Sequence, residues 1–437
     1  MLRFGTDGVR GDADTDLTPV LVSALGAAAA RVLGAETFLV GRDTRESGPR
    51  IVDDLILGFG AAGAAVYSLG VASTPAIAFL AQRAGLPAAI VSASHNVWSD
   101  NGVKLVGPDG RKLADDQEAA IEAAIREMPK AQRVPRYAPA PAPPGVDLDA
   151  YVAHLLGALD GRTLAGLHIV VDCANGAASE LAPRAFREAG ARVDVMHAEP
   201  DGRNINAGCG STYPESLQAA VRARGAHLGL ALDGDADRVL AVGENGELVD
   251  GDQIMVMTAL DWHERKILRN DALVVTVMSN LGLRRALTAA GVGIVETPVG
   301  DRNVTAAMAV GDFAIGGEQS GHIVFADLAT TGDGVLTGLI VGDLLARRGV
   351  PMSALAAAMT RLPQVLVNVR IEGGPQVDHS PAVHETIAKV EADLGDRGRV
   401  MVRSSGTEPV VRVMVEAPTE EEAAAAAARV RASLEAG

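Results

Sequence analysis

Cysteine is nearly missing from this chain, with two in 437 residues, Cys173 and Cys209. That excludes a disulfide framework, and their separation is not that of a metal-binding pair, so both read as small buried or half-buried residues. Aromatic residues are scarce as well, 3% against 48% hydrophobic overall, so the cores of this soluble chain must be built from Ala, Val and Leu. Positive charge is in deficit. The formal net charge of -16 argues against a nucleic acid partner, because such binding rests on basic surface neutralising phosphates. An anionic small molecule must therefore be held by local basic residues and not by the global field. No signal or transit peptide is expected, since patterned chemistry begins within a few residues of Met1. One stretch, 55–82, carries no charge and is longer than a bilayer span requires. Gly58, Gly60, Gly63, Gly70 and the Ser73-Thr74-Pro75 turn interrupt it, so it reads as helix end, turn, strand and capped helix. No membrane partner and a cytoplasmic location follow as expectations.

At this length one hydrophobic core is not enough, and three or four domains are expected. The same order of features recurs three times. Strands at 37–40, 168–171 and 272–277 each lead into a polar loop and a helix, then a glycine turn at Gly63, Gly190 or Gly291 and another strand. That is an internal repeat of similar α/β units. The tail differs: strand 365–371, helix 381–394, strands 399–403 and 410–416, and a closing helix 419–434 describe a smaller α+β domain. The expected boundaries are 1–157, 158–255, 256–364 and 365–437. Helices are expected over 117–127 and 147–159, and the proline-rich stretch 129–144 reads as an extended surface segment. Gly58-Phe59-Gly60-Ala61-Ala62-Gly63 matches the dinucleotide fingerprint by letter. It lies at a helix end and not after a strand, so it is set aside.

Three stretches carry chemistry. Ser92-Ala93-Ser94-His95-Asn96-Val97-Trp98-Ser99-Asp100-Asn101-Gly102-Val103-Lys104 follows the apolar strand 88–91, at the kind of sheet edge where α/β sites are built. On spacing alone Ser94 with His95 is equally an ordinary turn, and no nucleophile elbow surrounds it. Asp233-Gly234-Asp235-Ala236-Asp237-Arg238 follows the strand 228–232. Aspartates at alternate positions suit a hard cation such as Mg²⁺. Without one, each pair at about 4 Å repels by roughly 4 kcal/mol at an effective dielectric of about 20; a solvated acidic turn is the alternative. Arg403-Ser404-Ser405-Gly406-Thr407-Glu408-Pro409-Val410-Val411-Arg412 joins two strands by a hydroxyl-rich glycine loop flanked by arginines, the donor types that hold a phosphate.

Together with Phe4-Gly5-Thr6-Asp7-Gly8-Val9-Arg10-Gly11 and Gly317-Glu318-Gln319-Ser320-Gly321-His322, these stretches closely resemble the α-D-phosphohexomutase family, in the family's order and over essentially the whole chain. Gln319 resembles its phosphoglucosamine mutase branch. The resemblance implies three similar α/β domains with mixed sheets and an α+β C-terminal domain around a central cleft. It implies a phosphosugar substrate, Ser94 carried as phosphoserine, and Mg²⁺ held by Ser94, Asp233, Asp235 and Asp237. Arg10 and His95 would surround the phosphoserine, Arg238 would help hold its phosphate, and Lys104 would be the general acid/base. Glu318 and Ser320 would bind sugar hydroxyls, with Gln319, Asp301 and Arg302 selecting the sugar. Arg403, Ser405, Gly406, Thr407 and Arg412 would clamp the distal phosphate on a closing lid. A hexosamine 1,6-bisphosphate activator and a homodimer are further implications. Three positions depart from the pattern: Val97 replaces a proline, which implies a looser serine loop, Ala236 a glycine, and Asn303 an aromatic in the sugar-selecting loop. A phosphomannomutase or phosphoglucomutase, a non-catalytic phosphosugar sensor and an Asp-x-Asp phosphatase stay as alternatives.

Overall fold

The structure is a computed structural model that describes residues 4–5, 8–127, 140–370, 381–404 and 410–436. Its described residues form four sheets. In the first, Ala65–Val71, Thr37–Arg42 and Ala88–Val91 run parallel, followed by Asp100–Val106 and Val9–Asp12, each antiparallel to its neighbour. The second repeats that order, with Arg192–Met196, His168–Asp172 and Leu228–Leu232 parallel, then Val239–Gly243 and Leu248–Val249 antiparallel. The third has Gly293–Thr297, Ala272–Thr276 and Ile315–Gly317 parallel, then Ile323–Phe325 antiparallel.

The repeat read from the first strands thus runs through whole sheets. The crossover helices Gly48–Ala61, Leu181–Glu188 and Leu281–Ala290 return the chain to a parallel neighbour. Each crossover ends at a glycine with positive φ, 87° at Gly63, 96° at Gly190 and 75° at Gly291, a conformation that carries almost no steric cost only for that residue. In every repeat the third parallel strand passes to its antiparallel neighbour through a polar loop. Those loops are 92–99, 233–238 and 318–322, which hold the serine, the three aspartates and Glu318-Gln319-Ser320.

By packing, the chain divides into two units. Met1–Met278 with Val292–Ala357 forms the first, and Ser279–Gly291 with Ala358–Gly437 the second. The second contains a three-stranded antiparallel sheet with Val410–Glu416 between Gln364–Arg370 and Arg399–Ser404. Val369, Val411, Val413 and Val415 of this sheet bury against Val383 and Val390 of the helix Pro381–Leu394 and Val430 of Glu420–Ala436. Most of the proline-rich stretch, 128–139, lies outside the described residues.

The uncharged stretch divides as its glycines imply, among Gly48–Ala61, Ala65–Val71 and Thr74–Ala84, the last capped by Ser73. Among the described residues no helix is long and apolar enough to cross a membrane. Of the fingerprint-like glycines, Gly58 serves helix packing. A Cβ on Gly58 would lie 2.0 Å from the Ser23 carbonyl, and one on Gly26 2.7 Å from that of Leu55, so Pro19–Leu33 and Gly48–Ala61 touch backbone to backbone. Gly58→Ala should lower stability by about 1–3 kcal/mol through overpacking, net of the ~1 kcal/mol gain in helix propensity. Urea unfolding measures this, and an unchanged midpoint would remove the close crossing as a constraint.

The helix Gly334–Arg348 is capped by Asp333, whose Oδ1 accepts from Val335 and Leu336 N–H at 3.1 and 2.9 Å. Tyr151 Oη donates to Asp333 Oδ2 at 2.5 Å. Burial pushes this carboxyl up from 3.8 to about 6, against the pull of those donors. A raised folded pKa means that the folded state holds the proton more tightly, so this contribution is complete below pH 3.8 and lost as pH rises through about 6. Across that window the wild type should lose about 3 kcal/mol relative to Asp333→Asn, which keeps the cap without the charge. Paired denaturation curves from pH 4 to 7 test it; parallel pH profiles would show that Asp333 does not titrate there.

Candidate active site

Ser94 leaves the strand Ala88–Val91 with φ 52°, a left-handed conformation that a side chain disfavours unless its surroundings impose it. Buried polar groups do so. Ser94 N–H donates to Ser92 Oγ at 2.9 Å, and Ser92 Oγ donates to Asp43 Oδ2 at 2.6 Å. Arg45, fully buried, spends all five guanidinium donors. Nε reaches Asp43 Oδ2 at 2.9 Å, Nη1 the carbonyls of Val97 and Asp100, and Nη2 those of Ser94 and Asn96. Asn206 Nδ2 donates to the Ser94 and Asn96 carbonyls as well, at 2.9 and 3.0 Å. At Val97, where the family's pattern has a proline, the carbonyl is held by Arg45.

So held, Ser94 Oγ donates to Asp233 Oδ2 at 2.5 Å. Asp233, Asp235 and Asp237, all buried, each bring a carboxylate oxygen within 4.8 Å of the others. Burial, then the charges of Asp237 and Asp235, push Asp233 far above the usual carboxylate range; burial and Asp235 push Asp237 up. Lys104, from the strand Asp100–Val106, offsets part of this, with Nζ 2.9 Å from Asp235 Oδ2 and 3.6 Å from Asp237 Oδ2. Thr74 Oγ1 donates to the same Asp235 oxygen at 2.6 Å. Asp237 Oδ1 is buried and accepts no hydrogen bond. A compact set of carboxylate oxygens, one lacking a donor and two resisting ionisation, fits a hard divalent cation. Ala236 sits at φ 58°, so the residue that replaces glycine adopts the conformation glycine would take freely, at about 1 kcal/mol of strain.

His95 Nδ1 lies 3.4 Å from Ser94 Oγ and 3.3 Å from Arg238 Nη1. Burial first, then the charges of Arg238 and Arg10, lower its pKa to about 4, so the ring is neutral at pH 7. Arg238 also closes the aspartate loop, its N–H donating to Asp233 Oδ1 at 3.2 Å. Arg10 stands opposite Gly102 across the strand pair.

The third loop lies beside the second, since Val239 N–H donates to the Gly321 carbonyl at 3.1 Å. Glu318 Oε1 accepts from Gly300 N–H at 3.0 Å, Gln319 Nε2 donates to Asp250 Oδ2 at 3.2 Å, and Ser320 is exposed. Asp301 pairs with Lys112 at 2.5 Å, and Arg302 pairs with Asp115 and Glu118 of the helix Asp115–Glu127. Asn303 Nδ2 is bonded to the Val299 carbonyl at 3.0 Å. In the second unit Arg403 and Arg412 stand directly opposite each other on neighbouring strands. Ser405, Gly406 and Thr407, like Thr6 and Asp7, lie outside the described residues. Sequence reasoning passed over Asp43, Arg45, Thr74 and Asn206. The signal for the first two was present in Gly41-Arg42-Asp43-Thr44-Arg45, a charged loop at the end of another buried strand.

Four family models match nearly the whole chain. They are phosphoglucomutase/phosphomannomutase alpha/beta/alpha domains I (residues 1–132), II (149–246) and III (250–362) and the C-terminal domain (366–433). A phosphoglucosamine mutase of Frankia casuarinae is 50% identical over 98% of this chain and 97% of its own. The crystal structure of a phosphoglucomutase/phosphomannomutase family protein from Burkholderia thailandensis superposes with TM-score 0.81 at 26% identity, over 100% of this chain and 98% of that one. Aspergillus fumigatus N-acetylphosphoglucosamine mutase, in complex with GlcNAc-6P and magnesium, shares the fold with TM-score 0.73 at 20% identity, over 100% and 96%.

Replacing Arg45 by Lys leaves three donors for five acceptors. Each buried carbonyl left unmet costs about 1–3 kcal/mol. Hydrogen exchange of the amides at 94–101 should accelerate at least tenfold while exchange in the second unit is unchanged. Unaltered exchange there would show that the serine loop holds its shape without the guanidinium.

Proposed function

The chain belongs to the α-D-phosphohexomutase family and is an isomerase of its phosphoglucosamine mutase branch, and from that premise we propose that it interconverts glucosamine 6-phosphate and glucosamine 1-phosphate. The product would supply UDP-N-acetylglucosamine and cell-wall synthesis in the cytoplasm. The observation that carries the proposal is Ser94 Oγ, 2.5 Å from Asp233 in a buried three-aspartate loop. In the active enzyme Ser94 carries a phosphoryl group, about -1.5 to -2 of charge at neutral pH. Asp233, Asp235, Asp237 and an oxygen of that group would hold Mg²⁺, which when bound draws charge from the phosphoryl group.

The chain's residues do the rest. The sugar O1 takes the phosphoryl group as the bond to Ser94 Oγ breaks, giving the 1,6-bisphosphate. After the sugar turns round, the 6-phosphate passes to Ser94 Oγ, and glucosamine 1-phosphate leaves with the serine phosphorylated again. The Lys104 ammonium gives a proton to the departing Ser94 Oγ and is recharged by the proton of the sugar O1 hydroxyl; in the second transfer the same relay runs from Ser94 Oγ to the sugar O6. Neutral His95 and the guanidinium groups of Arg10 and Arg238 hold the phosphoryl oxygens. Glu318 and Ser320 bind ring hydroxyls in both orientations, with Gln319, Asp301 and Arg302 selecting the sugar. Asp301 and Arg302 are held by Lys112, Asp115 and Glu118, which favours a positioning task for them. Arg403, Ser405, Gly406, Thr407 and Arg412 hold the distal phosphate, a task supported by the hydroxyl-rich glycine sequence between the two arginines. The four domains are proposed at 1–157, 158–255, 256–364 and 365–437, with a hexosamine 1,6-bisphosphate as activator and a homodimer as the assembly.

Ser94→Ala should lose at least about 10⁴-fold in turnover while still binding phosphosugar, because the group that carries the phosphoryl is gone. ³¹P NMR with Mg²⁺ and a trace of hexose 1,6-bisphosphate follows this for glucosamine, glucose and mannose 6-phosphates. Fastest 1-phosphate formation from glucosamine is expected. A preference for glucose or mannose would move the chain to the phosphoglucomutase or phosphomannomutase reading, inorganic phosphate alone to a phosphatase, and no conversion to a sensor.

A further inference from the structure

A second group of donors lies in the second sheet. Asp172 ends the strand His168–Asp172, His197 follows the neighbouring strand Arg192–Met196, and Cys209 precedes the turn Gly210–Thr212. A carboxylate oxygen, a ring nitrogen and the sulfur of these three lie within 4.8 Å of one another. Asp172 and Cys209 are fully buried, and His197 is half-buried. His197 Nδ1 lies 2.9 Å from Asp172 Oδ2, yet makes no aligned hydrogen bond.

Each buried donor is oriented from behind. Ala174 and Gly210 N–H donate to the two Asp172 oxygens at 2.9 and 3.0 Å, and Asn175 Nδ2 lies 3.9 Å from Cys209 Sγ. Outer contacts of this kind fix metal ligands. The backbone around them is strained, with positive φ at Ala174, Asn175, His197 and Asn206. Such strain persists where the surroundings over-determine it and clusters at ligand sites.

We propose that Asp172, His197 and Cys209 form a second metal site, for a thiophilic divalent cation of the Zn²⁺ class. Thiolate and imidazole select such a cation over Mg²⁺, which takes oxygen ligands. Three protein ligands leave a fourth tetrahedral position for water on the half-exposed histidine side. Binding forms a metal–sulfur bond and releases the thiol proton to solvent, with no change of oxidation state. The site lies behind the active site. Asn206 N–H donates to the Ala174 carbonyl at 2.9 Å while its side chain holds the Ser94 carbonyl, and Ala177 N–H donates to that of Gly234 at 2.8 Å. A bound cation would therefore stiffen the loops that support the serine and the aspartates.

The test is a Co²⁺ titration of chelator-stripped protein in excess Mg²⁺. One equivalent should produce a thiolate-to-cobalt charge-transfer band in the near ultraviolet, abolished by one equivalent of Zn²⁺. The band should persist in Cys173→Ser and vanish in Cys209→Ser and His197→Asn, with folding checked by circular dichroism. If Cys209→Ser does not fold, His197→Asn decides alone. No band in the wild type, or a band that survives in whichever of these two variants folds, would overturn the site and leave an Asp–His contact beside a buried thiol.

Discussion

Three carboxylates and a serine oxygen share one buried volume, and that crowding of negative charge is the constraint on which the rest of the site depends. Asp233 and Asp237 are pushed away from ionisation by burial and by their neighbours. Lys104 and Arg238 offset part of the repulsion, and a divalent cation would offset more. A phosphoryl group on Ser94 would sharpen the demand. The cluster therefore has to be held by groups that spend their own hydrogen-bonding capacity on it.

Arg45 is the chief of these. Its five donors converge on three carbonyls of the serine loop, on that of Asp100 at the start of the next strand and on Asp43, and a Lys ammonium has too few donors to replace them. Asn206, from the segment between the strand Arg192–Met196 and the turn Gly210–Thr212, reaches two of the same carbonyls, those of Ser94 and Asn96, so the serine loop is fixed against that segment as well as within itself. The repeated topology makes this possible. In each of three sheets the chain leaves its third parallel strand to pair antiparallel, and each such exit carries one part of the site.

Much of the fold was legible in local pattern. The strand Leu228–Leu232, the helix Pro381–Leu394 and the strand Val410–Glu416 have the expected bounds, because apolar runs and turn residues report on their immediate neighbours. The packing of Gly58 against Ser23 was not legible, since a glycine in a helix looks the same whether or not another backbone touches it. Arg302 shows the converse. Its place in a selectivity-like loop was readable, while its pairing with Asp115 and Glu118 joins residues nearly two hundred positions apart.

The sequence by itself determined the repeats, the alternating aspartates and the serine loop, because each is written in consecutive residues whose spacing and chemistry are local. Only the tertiary structure decided that Ser94 meets Asp233, that Arg45 holds the loop, and that Asp172, His197 and Cys209 converge. Those contacts join loops at the ends of different strands. Sheet order and register set such distances, and separation along the chain does not.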